Sequence, residues 1–351
     1  MKILHVISGI SPQSGGPTRS VKGLCRALSG AGIDVALLVL HGTDVFENPG
    51  GVRVLYGGDP DVGDFNVVHI HGLWDLRLHA VAKKCRKLGV PYVVSPRGML
   101  DPWALSVKKW KKRIALFLYQ RGDLNSAAAF HATAKEEASH IQAAGFGQSC
   151  IIAPNAVDLP VNMPPRLTNG KTKTALFLSR LHPGKGLLTL VDAWKVVRPF
   201  GWRMKVVGPD SYGHKRDVLA RLEKLGIQSE WEFVDALDDI QKWETYRQSD
   251  LVVHPSVSEN FGITIAEGLA AELPVIATKG TPWSELQERK CGWWIDVGVE
   301  PLAKALREAM AFTDEERYKM GIRGRQLVEE KYTWNAVVKA MLAGYEAVLH
   351  G

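Results

Sequence analysis

Short runs of apolar residues recur along the chain and alternate with stretches of helical periodicity. The runs are nearly continuous in Val, Ile and Leu, which is typical of strands buried on both faces of a parallel sheet. The predicted strands span residues 2–8, 34–40, 52–56, 66–70, 92–95, 174–179, 202–207, 231–234, 251–254 and 275–278. The predicted helices include residues 19–30, 76–88, 187–197 and 215–225, with a further helix between the last two strands.

The alternation of strands and helices predicts βαβ units and an α/β fold with doubly wound sheets. The pattern stops over residues 158–173, a stretch rich in Pro, Asn and Gly, and then restarts. A length of 351 residues also fits two domains. We therefore predict a first domain over residues 1–163 and a second over residues 164–333. Ligands of such sheets bind beyond the carboxyl ends of the strands, so we expect the site in a cleft between the domains.

The charge of the chain is unevenly distributed. Of the net charge of +7, residues 1–165 contribute +6, with 18 Lys and Arg residues against 12 Asp and Glu residues. A basic half indicates that this half meets an anionic partner. Nucleic acid is not favoured, because the lysines are concentrated in one stretch and form no broad stripe with interleaved aromatic residues.

The cysteines and the apolar runs indicate the cellular compartment in which the protein lies. The 4 cysteines have no paired spacing, which argues against a disulfide scaffold and against a cysteine zinc site. No apolar run approaches the ~18 residues of a membrane-spanning helix, and the first residues are too short an apolar segment for a signal peptide. We therefore expect a cytoplasmic protein.

Gly15 and Gly16 follow the first predicted strand and precede a helix. Glycines let the backbone approach a ligand closely, and the start of the helix offers unpaired N–H groups to an anion. The segment does not match the dinucleotide fingerprint. An ordinary strand-to-helix loop explains these glycines equally well.

His69 and His71 lie two residues apart at a strand end and therefore share one face. The same spacing occurs in zinc hydrolases, which need further ligands from other strands. His131 and His254 are possible further ligands, but no spacing singles them out. The alternative is one histidine in the core and one facing the cleft.

Arg180 and Lys185 follow the first strand of the second half, with Gly184 and Gly186 around the lysine. A planar guanidinium and a point charge on a closely approaching backbone suit a diphosphate. A Walker A loop is excluded, because Ser179 stands where that loop has its first glycine and Gly186 stands where it has Ser or Thr. A solvated charged loop is the alternative.

The segment from Ser258 to Gly268 is the strongest motif, because it follows a buried strand and leads into a helix. Gly262 frees the backbone near the helix start, where N–H groups can hold phosphate. Glu259 in the loop and Glu267 in the helix can accept hydrogen bonds from vicinal hydroxyls of a sugar and of a ribose. A helix start with surface acids is the alternative.

Residues 107–121 are basic at one end and apolar at the other. The residues of the basic end are Lys108, Lys109, Lys111, Lys112 and Arg113. A basic amphipathic helix that carries Trp suits an anionic membrane surface. The alternative is a solvated charged face whose apolar part packs inside.

Together these motifs resemble those of the GT-B glycosyltransferases of glycosyltransferase family 4, the relatives of bacterial glycogen synthase and lipopolysaccharide-core transferases. The matching residues are Glu259 and Glu267 with seven residues between them, Arg180 and Lys185, Gly15 and Gly16, His71, Pro154-Asn155-Ala156-Val157-Asp158, and the terminal Tyr332-Thr333-Trp334. Ala156 stands where the family usually has glycine. Residues 96–105 are similar to a subgroup found among bacterial surface-polysaccharide transferases.

The resemblance implies a GT-B fold, in which two Rossmann-like doubly wound domains face each other across a cleft. The N-terminal domain would bind the acceptor and the C-terminal domain the nucleotide sugar, while residues 334–351 would form a helix that crosses back to the first domain. The implied reaction is a retaining, metal-independent transfer of a hexose from a UDP- or GDP-linked sugar. A saccharide or a lipid-linked molecule would be the acceptor, in bacterial cell-surface polysaccharide synthesis.

The resemblance also assigns roles to residues and implies no cofactor. The implied catalytic residues are His71, Arg180, Lys185 and Glu259, and the implied donor-binding residues are Gly15, Gly16, Asn260, Phe261, Gly262, Ile263, Thr264 and Glu267. The two cations would neutralise the diphosphate, and the helix start would hold it. Glu267 would bind the ribose and Glu259 the sugar, with His71 near the departing oxygen.

Three alternatives remain open from the sequence. Asp59 and Asp61 fit the D-x-D metal motif of GT-A enzymes, but they lie just after a Gly-Gly turn and are interpreted as part of that turn. A zinc hydrolase would use His69 and His71. A GT-B epimerase, or a protein that binds nucleotide sugars without transfer, would share the donor motifs.

The basic stretch further implies a peripheral position on the inner face of the plasma membrane.

Overall fold

The computed structural model of the chain forms two compact units. The described residues are 1–10, 16–41, 50–58, 61–160, 163 and 172–351. Unit 1 comprises Met1–Asp158 and Tyr332–Gly351, and unit 2 comprises Leu159–Lys331. The predicted boundary after residue 163 adjoins residues outside the described part of the chain.

Unit 1 is an α/β structure whose described part contains a sheet of seven strands. The strands are β1 (Lys2–Gly9), β2 (Asp34–His41), β3 (Arg53–Tyr56), β4 (Val67–His71), β5 (Tyr92–Ser95), β6 (Ala129–Ala132) and β7 (Cys150–Ile152). The helices are α1 (Gly16–Gly30), α2 (Leu76–Leu88), α3 (Pro102–Ser106), α4 (Lys109–Ala115), α5 (Arg121–Asn125) and α6 (Lys135–Ala143).

The strands of unit 1 run parallel in the order β3-β2-β1-β4-β5-β6-β7. The interior residues of β1, β2 and β4 are buried, as the continuous apolar runs predict. Local signals set the ends of the helices. The Asp75 side chain accepts a hydrogen bond from the Arg77 N–H at 2.8 Å and begins α2, and Gly89 ends that helix with a left-handed φ of 70°.

Unit 2 repeats this design with six strands in its described part. The strands are β8 (Lys173–Leu178), β9 (Trp202–Val207), β10 (Trp231–Val234), β11 (Leu251–His254), β12 (Val275–Thr278) and β13 (Gly292–Ile295). The helices are α7 (Leu187–Val197), α8 (His214–Leu225), α9 (Asp239–Arg247), α10 (Ile263–Ala270), α11 (Glu285–Glu288), α12 (Val299–Ala311) and α13 (Asp314–Lys331). The order β10-β9-β8-β11-β12-β13 is again parallel.

The last helix, α14 (Trp334–His350), belongs to unit 1 although unit 2 precedes it in the chain. Thr333 caps its start by accepting a hydrogen bond from the Ala336 N–H. Gly23 of α1 lets α14 approach closely, because a Cβ atom at this position would lie 2.0 Å from the Trp334 ring. Tyr345 at the other end of α14 is fully buried in the same core as α1 and β1.

The predicted strands and helices are confirmed, while three strands and several helices were not predicted. The sequence pattern missed β6 and β13 because most of their residues are not Val, Ile or Leu, and it missed β7 because that strand has only three residues. The basic stretch forms α4 and α5 with one π-helical turn between them (Leu116–Gln120), so its helix is irregular.

Candidate active site

The site of unit 2 lies where its strand order reverses. β8 and β11 are neighbours, and the chain leaves them towards opposite edges of the sheet. Loops after two such strands separate and leave a crevice at their carboxyl ends, which is where open α/β sheets bind ligands. The loop after β8 carries Arg180 and Lys185, and the loop after β11 carries Glu259. The fold therefore brings together residues that are distant in sequence.

Gly186 makes the contact between these two loops possible. It has a φ of +73°, and a Cβ atom there would lie only 2.0 Å from the Pro255 carbonyl oxygen. The Val257 N–H also donates to the Gly184 carbonyl at 2.9 Å. Only glycine permits this approach, which carries Lys185 to the end of β11.

Glu259 is the centre of a cluster of hydrogen bonds. His254 Nε2 lies 3.0 Å from Glu259 Oε1, the Ser256 hydroxyl donates to the same oxygen at 3.0 Å, and the Lys185 ammonium forms an ion pair with it. Burial alone would raise the pKa of Glu259, but the hydrogen bond from His254 and the Lys185 charge outweigh burial and hold that pKa well below its usual range. Glu259 is therefore ionised, and within the described residues its Oε2 atom receives none of these bonds.

Glu267 has a different environment, although it belongs to the same motif. Its side chain is buried, and its two oxygens accept from Lys242 at 2.7 Å and from the Tyr246 hydroxyl at 3.0 Å. Both partners come from α9, which a capping box at Asp238 begins. A buried carboxylate needs such compensation, because an isolated charge is costly away from water.

The start of α10 is open to an anion. Gly262 precedes the helix with a φ of 79°, and as the N-cap residue it has no side chain that could bond to the first N–H groups of the helix. The Phe261 carbonyl accepts from the Trp283 indole at 2.5 Å, which fixes the turn. The Thr264 hydroxyl lies 3.1 Å from His254 Nδ1 and so links this helix start to the Glu259 cluster. Uncapped N–H groups at a helix start favour negative charge.

Arg180 and Lys185 differ in what surrounds them. Lys185 is partly buried and paired with Glu259, whereas the Arg180 side chain is exposed and makes no hydrogen bond with the described residues. Both nevertheless lower the pKa of His182 after burial, so both charges act at this loop. Both predicted cations of unit 2 thus lie in the loop after β8, and Lys185 contacts the predicted Glu259.

The corresponding position of unit 1 holds a layer of histidines. β1 and β4 are the neighbours at which the strand order reverses, and His5 pairs in register with His69. His71 ends β4 as His254 ends β11. His131 on β6 completes the layer, and all four side chains of the layer are buried. Burial lowers the pKa of His5 and of His131 to about 3, with Arg97 adding to the effect in both.

One chain of hydrogen bonds crosses this layer to the last helix. His131 Nε2 donates to the Ala153 carbonyl at 2.9 Å, so the Nδ1 atom of the neutral ring accepts from the Ser95 hydroxyl at 2.6 Å. Ser95 then accepts from His69 Nε2 at 3.1 Å, and His69 Nδ1 accepts from the Tyr345 hydroxyl at 2.6 Å. The network thus fixes the tautomers and ties α14 to the sheet.

A second chain of hydrogen bonds determines the state of His71. A guanidinium can only donate, so His71 Nδ1 accepts from Arg97 at 3.1 Å. The proton of the neutral ring is therefore on Nε2, which donates to His5 Nδ1 at 2.9 Å. Burial first, and then Arg97, hold the pKa of His71 well below its usual range. His71 is neutral, and both of its nitrogens have protein partners.

The histidine layer also bears on the zinc interpretation. Nitrogen atoms of His5, His69 and His71 lie within 4.8 Å of one another. However, His69 uses both nitrogens for Tyr345 and Ser95, and the Arg97 cation is hydrogen bonded to His71. A divalent cation at this place would face a buried positive charge, which is unfavourable. His254, proposed as a further ligand, lies in unit 2 against Glu259.

Two further predictions in unit 1 fall partly outside the described residues. Gly15 lies outside them, and Gly16 is the first residue of α1. Asp59 is also outside, whereas the Asp61 side chain accepts from the Gly63 N–H at 3.2 Å and caps a short 3-10 turn. Asp61 thus has the structural role in a turn that the sequence favoured.

The basic stretch forms an exposed surface of unit 1. Several of its large apolar side chains point outward, with Phe117 88% exposed, Leu118 68% and Trp110 64%, whereas Leu116 packs against the core of unit 1. The exposed cations beside them are Lys108, Lys109, Lys111 and Arg113. Lys112 differs from the prediction, because its ammonium donates to the Ala104 carbonyl within unit 1. No helix in the described part of the chain combines the length and the apolar character needed to cross a bilayer.

Sequence reasoning missed several residues that complete these sites. They are His5, Ser95, Arg97 and Tyr345 in unit 1, and Lys242, Tyr246 and Ser256 in unit 2. A polar residue within a buried apolar strand, such as His5 in β1, was the available signal. The sequence offered no signal for Lys242, because a lysine in a helix normally faces water.

Two family models match the chain, one in each unit. Residues 15–156 match the glycosyl transferase 4-like domain, and residues 161–327 match glycosyl transferases group 1. A D-inositol 3-phosphate glycosyltransferase of Segniliparus rotundus is 28% identical over 63% of this chain, which spans about half (52%) of that relative. The GDP-mannose:cellobiosyl-diphosphopolyprenol alpha-mannosyltransferase of Komagataeibacter xylinus is 24% identical over 99% of this chain and 94% of its own.

A solved structure confirms the fold. The Anabaena protein HepE, solved in complex with UDP and glucose, superposes with a TM-score of 0.80 at 17% identity, covering 99% of this chain and 100% of its own. The likeness extends over both units and is therefore a likeness of the complete arrangement of strands and helices, which is that of the GT-B fold.

Proposed function

The chain belongs to the GT-B glycosyltransferases of family 4 type, and we propose that it transfers a hexose from a UDP- or GDP-linked sugar to a saccharide or lipid-linked acceptor. The proposed reaction keeps the anomeric configuration, needs no metal ion and serves bacterial cell-surface polysaccharide synthesis. The names of the relatives support this choice, since one of them is a mannosyltransferase that acts on a diphosphopolyprenol.

The arrangement around Glu259 is the observation that carries the proposal. His254, Ser256 and Lys185 all bond to Oε1. The Oε2 atom of an ionised, firmly held carboxylate therefore remains available to sugar hydroxyls. The uncapped start of α10 lies in the same motif and suits the diphosphate. A carboxylate for hydroxyls beside cations for phosphates is the chemistry that a nucleotide-diphosphate sugar requires.

The proposed mechanism relies on electrostatic stabilisation. The bond between the sugar C1 atom and the diphosphate oxygen breaks, and a bond from the acceptor hydroxyl oxygen to C1 forms on the same face. The acceptor proton passes to an oxygen of the departing phosphate. Arg180, Lys185 and the α10 N–H groups stabilise the growing negative charge. For His71 we propose a place near the departing oxygen. Its ring is neutral and both nitrogens have partners within unit 1, so a hydrogen bond to that oxygen would replace the one that Nε2 donates to His5.

Membrane contact belongs to the same proposal. The exposed Trp110, Phe117 and Leu118 beside four exposed cations fit the interface of an anionic bilayer, where apolar side chains insert and cations meet the headgroups. Such contact would bring a cytoplasmic enzyme to the inner face of the plasma membrane, where lipid-linked acceptors lie.

The test is nucleotide binding and turnover with a panel of UDP- and GDP-linked sugars. We expect Glu267→Ala to weaken the affinity for UDP or GDP by about 1.5–3 kcal/mol, which is the usual contribution of hydrogen bonds to a charged group. Glu259→Gln should leave that affinity nearly unchanged and lower turnover. Glu223→Ala, which removes an exposed carboxylate of unit 2, is the matched control.

Calorimetry on folded variants measures both affinities, and Glu267→Gln serves if the alanine variant is unstable. Equal nucleotide affinity in Glu267→Ala, Glu267→Gln and the unmodified protein would reject the ribose assignment. A protein that hydrolyses or epimerises the nucleotide sugar with acceptors present, and never transfers the sugar, would reject the transferase.

A further inference from the structure

Arg97 is a cation whose protein partners are all neutral. Its guanidinium donates to Ser20 Oγ, Asn155 Oδ1 and His71 Nδ1, each at 3.1 Å. No carboxylate of the described residues lies within 4.0 Å of it. Other enclosed cations among the described residues differ, because Lys185, Lys242, Arg247 and Arg317 each have a carboxylate partner. Arg97 is partly buried, and a cation largely withdrawn from water without an anion is unfavourable, so its retention indicates an anion other than the carboxylates of the described residues.

One donor of this guanidinium has no partner. The Arg97 Nε atom is buried and makes no hydrogen bond within the described residues. Buried N–H groups are nearly always satisfied, and an orphaned one requires an explanation. The planar guanidinium presents Nε–H and a terminal N–H side by side, which is the fork that matches two oxygens of a carboxylate or phosphate.

The backbone holds Arg97 in an unfavourable conformation that fixes its position. Its φ is 56°, in the left-handed region that non-glycine residues seldom adopt, and Gly98 follows with a φ of 76°. The Met99 N–H closes the turn on the Pro96 carbonyl at 3.1 Å, and the Gly98 N–H donates to Glu137 at 2.7 Å. Strained residues of this kind concentrate at ligand-binding sites.

Glu137 attracts Arg97 but does not neutralise it by contact. Its two oxygens are occupied by the Gly98 N–H and by the backbone and hydroxyl of Thr133. Burial lowers the pKa of Arg97 and Glu137 only partly offsets this, which agrees with a cation short of negative charge.

We propose that Arg97 is the core of an anion-binding site in unit 1 and that it receives a carboxylate or phosphate group of a substrate. Ser20, Asn155 and His71 orient the guanidinium from three sides. The site lies beyond the carboxyl ends of β4 and β5, beside the point where the strand order reverses. Together with the proposed function, on which this step rests, it predicts an acceptor that carries an acidic group. The donor diphosphate is the other possible source of the anion.

The experiment uses inorganic phosphate and glucuronate as probes, with glucose as the neutral partner of glucuronate. Isothermal titration of the full chain is compared for the unmodified protein, Arg97→Gln, Arg97→Lys and Arg121→Gln. Arg121 is an exposed arginine of the same unit and controls for the loss of one charge. We expect at least tenfold weaker binding of phosphate and glucuronate in Arg97→Gln and an intermediate loss in Arg97→Lys. Arg121→Gln should not change either affinity, and glucose should not respond to Arg97.

A second arm titrates UDP and GDP into the same four proteins to identify the source. Unchanged nucleotide affinity in Arg97→Gln, without competition between phosphate and nucleotide, assigns the site to the acceptor. A parallel loss of nucleotide affinity, with competition, assigns it to the donor diphosphate. The proposal is overturned if neither probe binds the unmodified protein. It is also overturned if both probes bind Arg97→Gln as tightly as they bind the unmodified protein. If Arg97→Gln does not fold, the same comparison is made with Arg97→Lys. Nucleotide binding that persists when this proposal is overturned leaves the proposed function intact.

Discussion

Both units carry polar residues at the carboxyl ends of the strands where the strand order reverses. The two sites differ in whether their cations are paired with carboxylates. In unit 2, each enclosed cation of the site has a carboxylate, with Lys185 against Glu259 and Lys242 against Glu267. In unit 1, neutral histidines surround a cation that has no carboxylate contact within the described residues. The enclosed cations of the unit 2 site are therefore neutralised by the chain itself, whereas Arg97 in unit 1 has no carboxylate contact among the described residues.

The difference indicates how each unit selects what it binds. An ion pair can exchange its internal contact for contacts with a ligand that carries both hydroxyls and phosphates. The cation then binds the phosphates and the carboxylate binds the hydroxyls. A lone cation within neutral rings selects for negative charge alone. The end of β11 and the end of β4 both carry a histidine, but His254 holds a carboxylate and His71 holds a guanidinium.

The largest effect expected is on stability, from breaking the enclosed pair of unit 2. Lys242→Ala leaves Glu267 charged and buried with only its neutral partners, which typically costs about 3–5 kcal/mol. The double variant Lys242→Met, Glu267→Gln should recover much of this loss, because it removes both charges. Urea unfolding measures the free energies. Lys205→Met removes one member of the more exposed pair with Glu232 and should change stability little. A small loss in Lys242→Ala would show that the pair is not needed.

The next effect concerns turnover at the cations of unit 2. Arg180→Ala and Lys185→Ala should each lower kcat about a hundred- to a thousandfold, as loss of one well-placed charge-stabilising group does. The double variant should lose less than the product of the two losses, because both cations act on one diphosphate. Arg216→Ala removes an exposed cation of the same unit and is the control.

Chelation sharpens the same prediction. We expect transfer to continue in EDTA, since cations of the chain do what a metal ion does in GT-A enzymes. Loss of turnover in EDTA that magnesium or manganese restores would refute this expectation and return Asp59 and Asp61 to consideration.

The histidine layer predicts that unit 1 loses stability at a higher pH than unit 2. An unfolded histidine has a pKa of about 6.5, whereas burial lowers the pKa of His5 and His131 to about 3 in the folded state. Below pH ~6.5 the unfolded chain binds more protons, so stability is complete above that pH and falls as the pH decreases towards 3, by about 1.4 kcal/mol per pH unit for each histidine. The lowered pKa of Glu259 has the same sign but acts only below its unfolded pKa of about 4.3.

Urea unfolding followed by pulsed hydrogen exchange reports the two units separately between pH 8 and 4. Unit 1 should weaken steeply from pH ~6.5. Unit 2 should weaken only slightly until near pH 4, because the lowered histidine pKa there belongs to the partly exposed His182. His5→Asn should flatten the slope of unit 1, while the exposed His350→Gln should not. Parallel curves for the two units would contradict the contrast drawn between their sites.

The smallest effects are expected on the surface of unit 1. Each basic residue near an anionic bilayer contributes about 1 kcal/mol, so Lys108→Gln, Lys109→Gln should weaken binding to vesicles that contain phosphatidylglycerol. The charge-matched control is Lys83→Gln, Lys87→Gln on α2. Phe117→Ser should also weaken binding, whereas Phe200→Ser, at a fully exposed phenylalanine of unit 2, should not. Equal sedimentation with neutral and anionic vesicles would reject membrane contact through charge.

The sequence by itself determined the parallel sheets, the division into two units and the motifs of unit 2. Strands buried on both faces need continuous apolar runs, and loops that bind anions need glycines and charges, so both leave a local pattern. Gly186 and Gly262 were visible for this reason. The missed strands lack this pattern, because β6 and β13 contain few Val, Ile or Leu residues and β7 has only three residues.

Tertiary structure alone decided which polar groups meet. His5, His71 and Arg97 are separated by many residues and come together only because β1, β4 and β5 lie side by side in the sheet. The charge state of each histidine likewise depends on burial and on a neighbouring guanidinium, which no periodicity along the chain encodes. The sequence could therefore name Glu259 as a carboxylate at a helix start. Only the fold shows that, among the described residues, the bonds to Glu259 all go to one oxygen and Arg97 has no carboxylate contact.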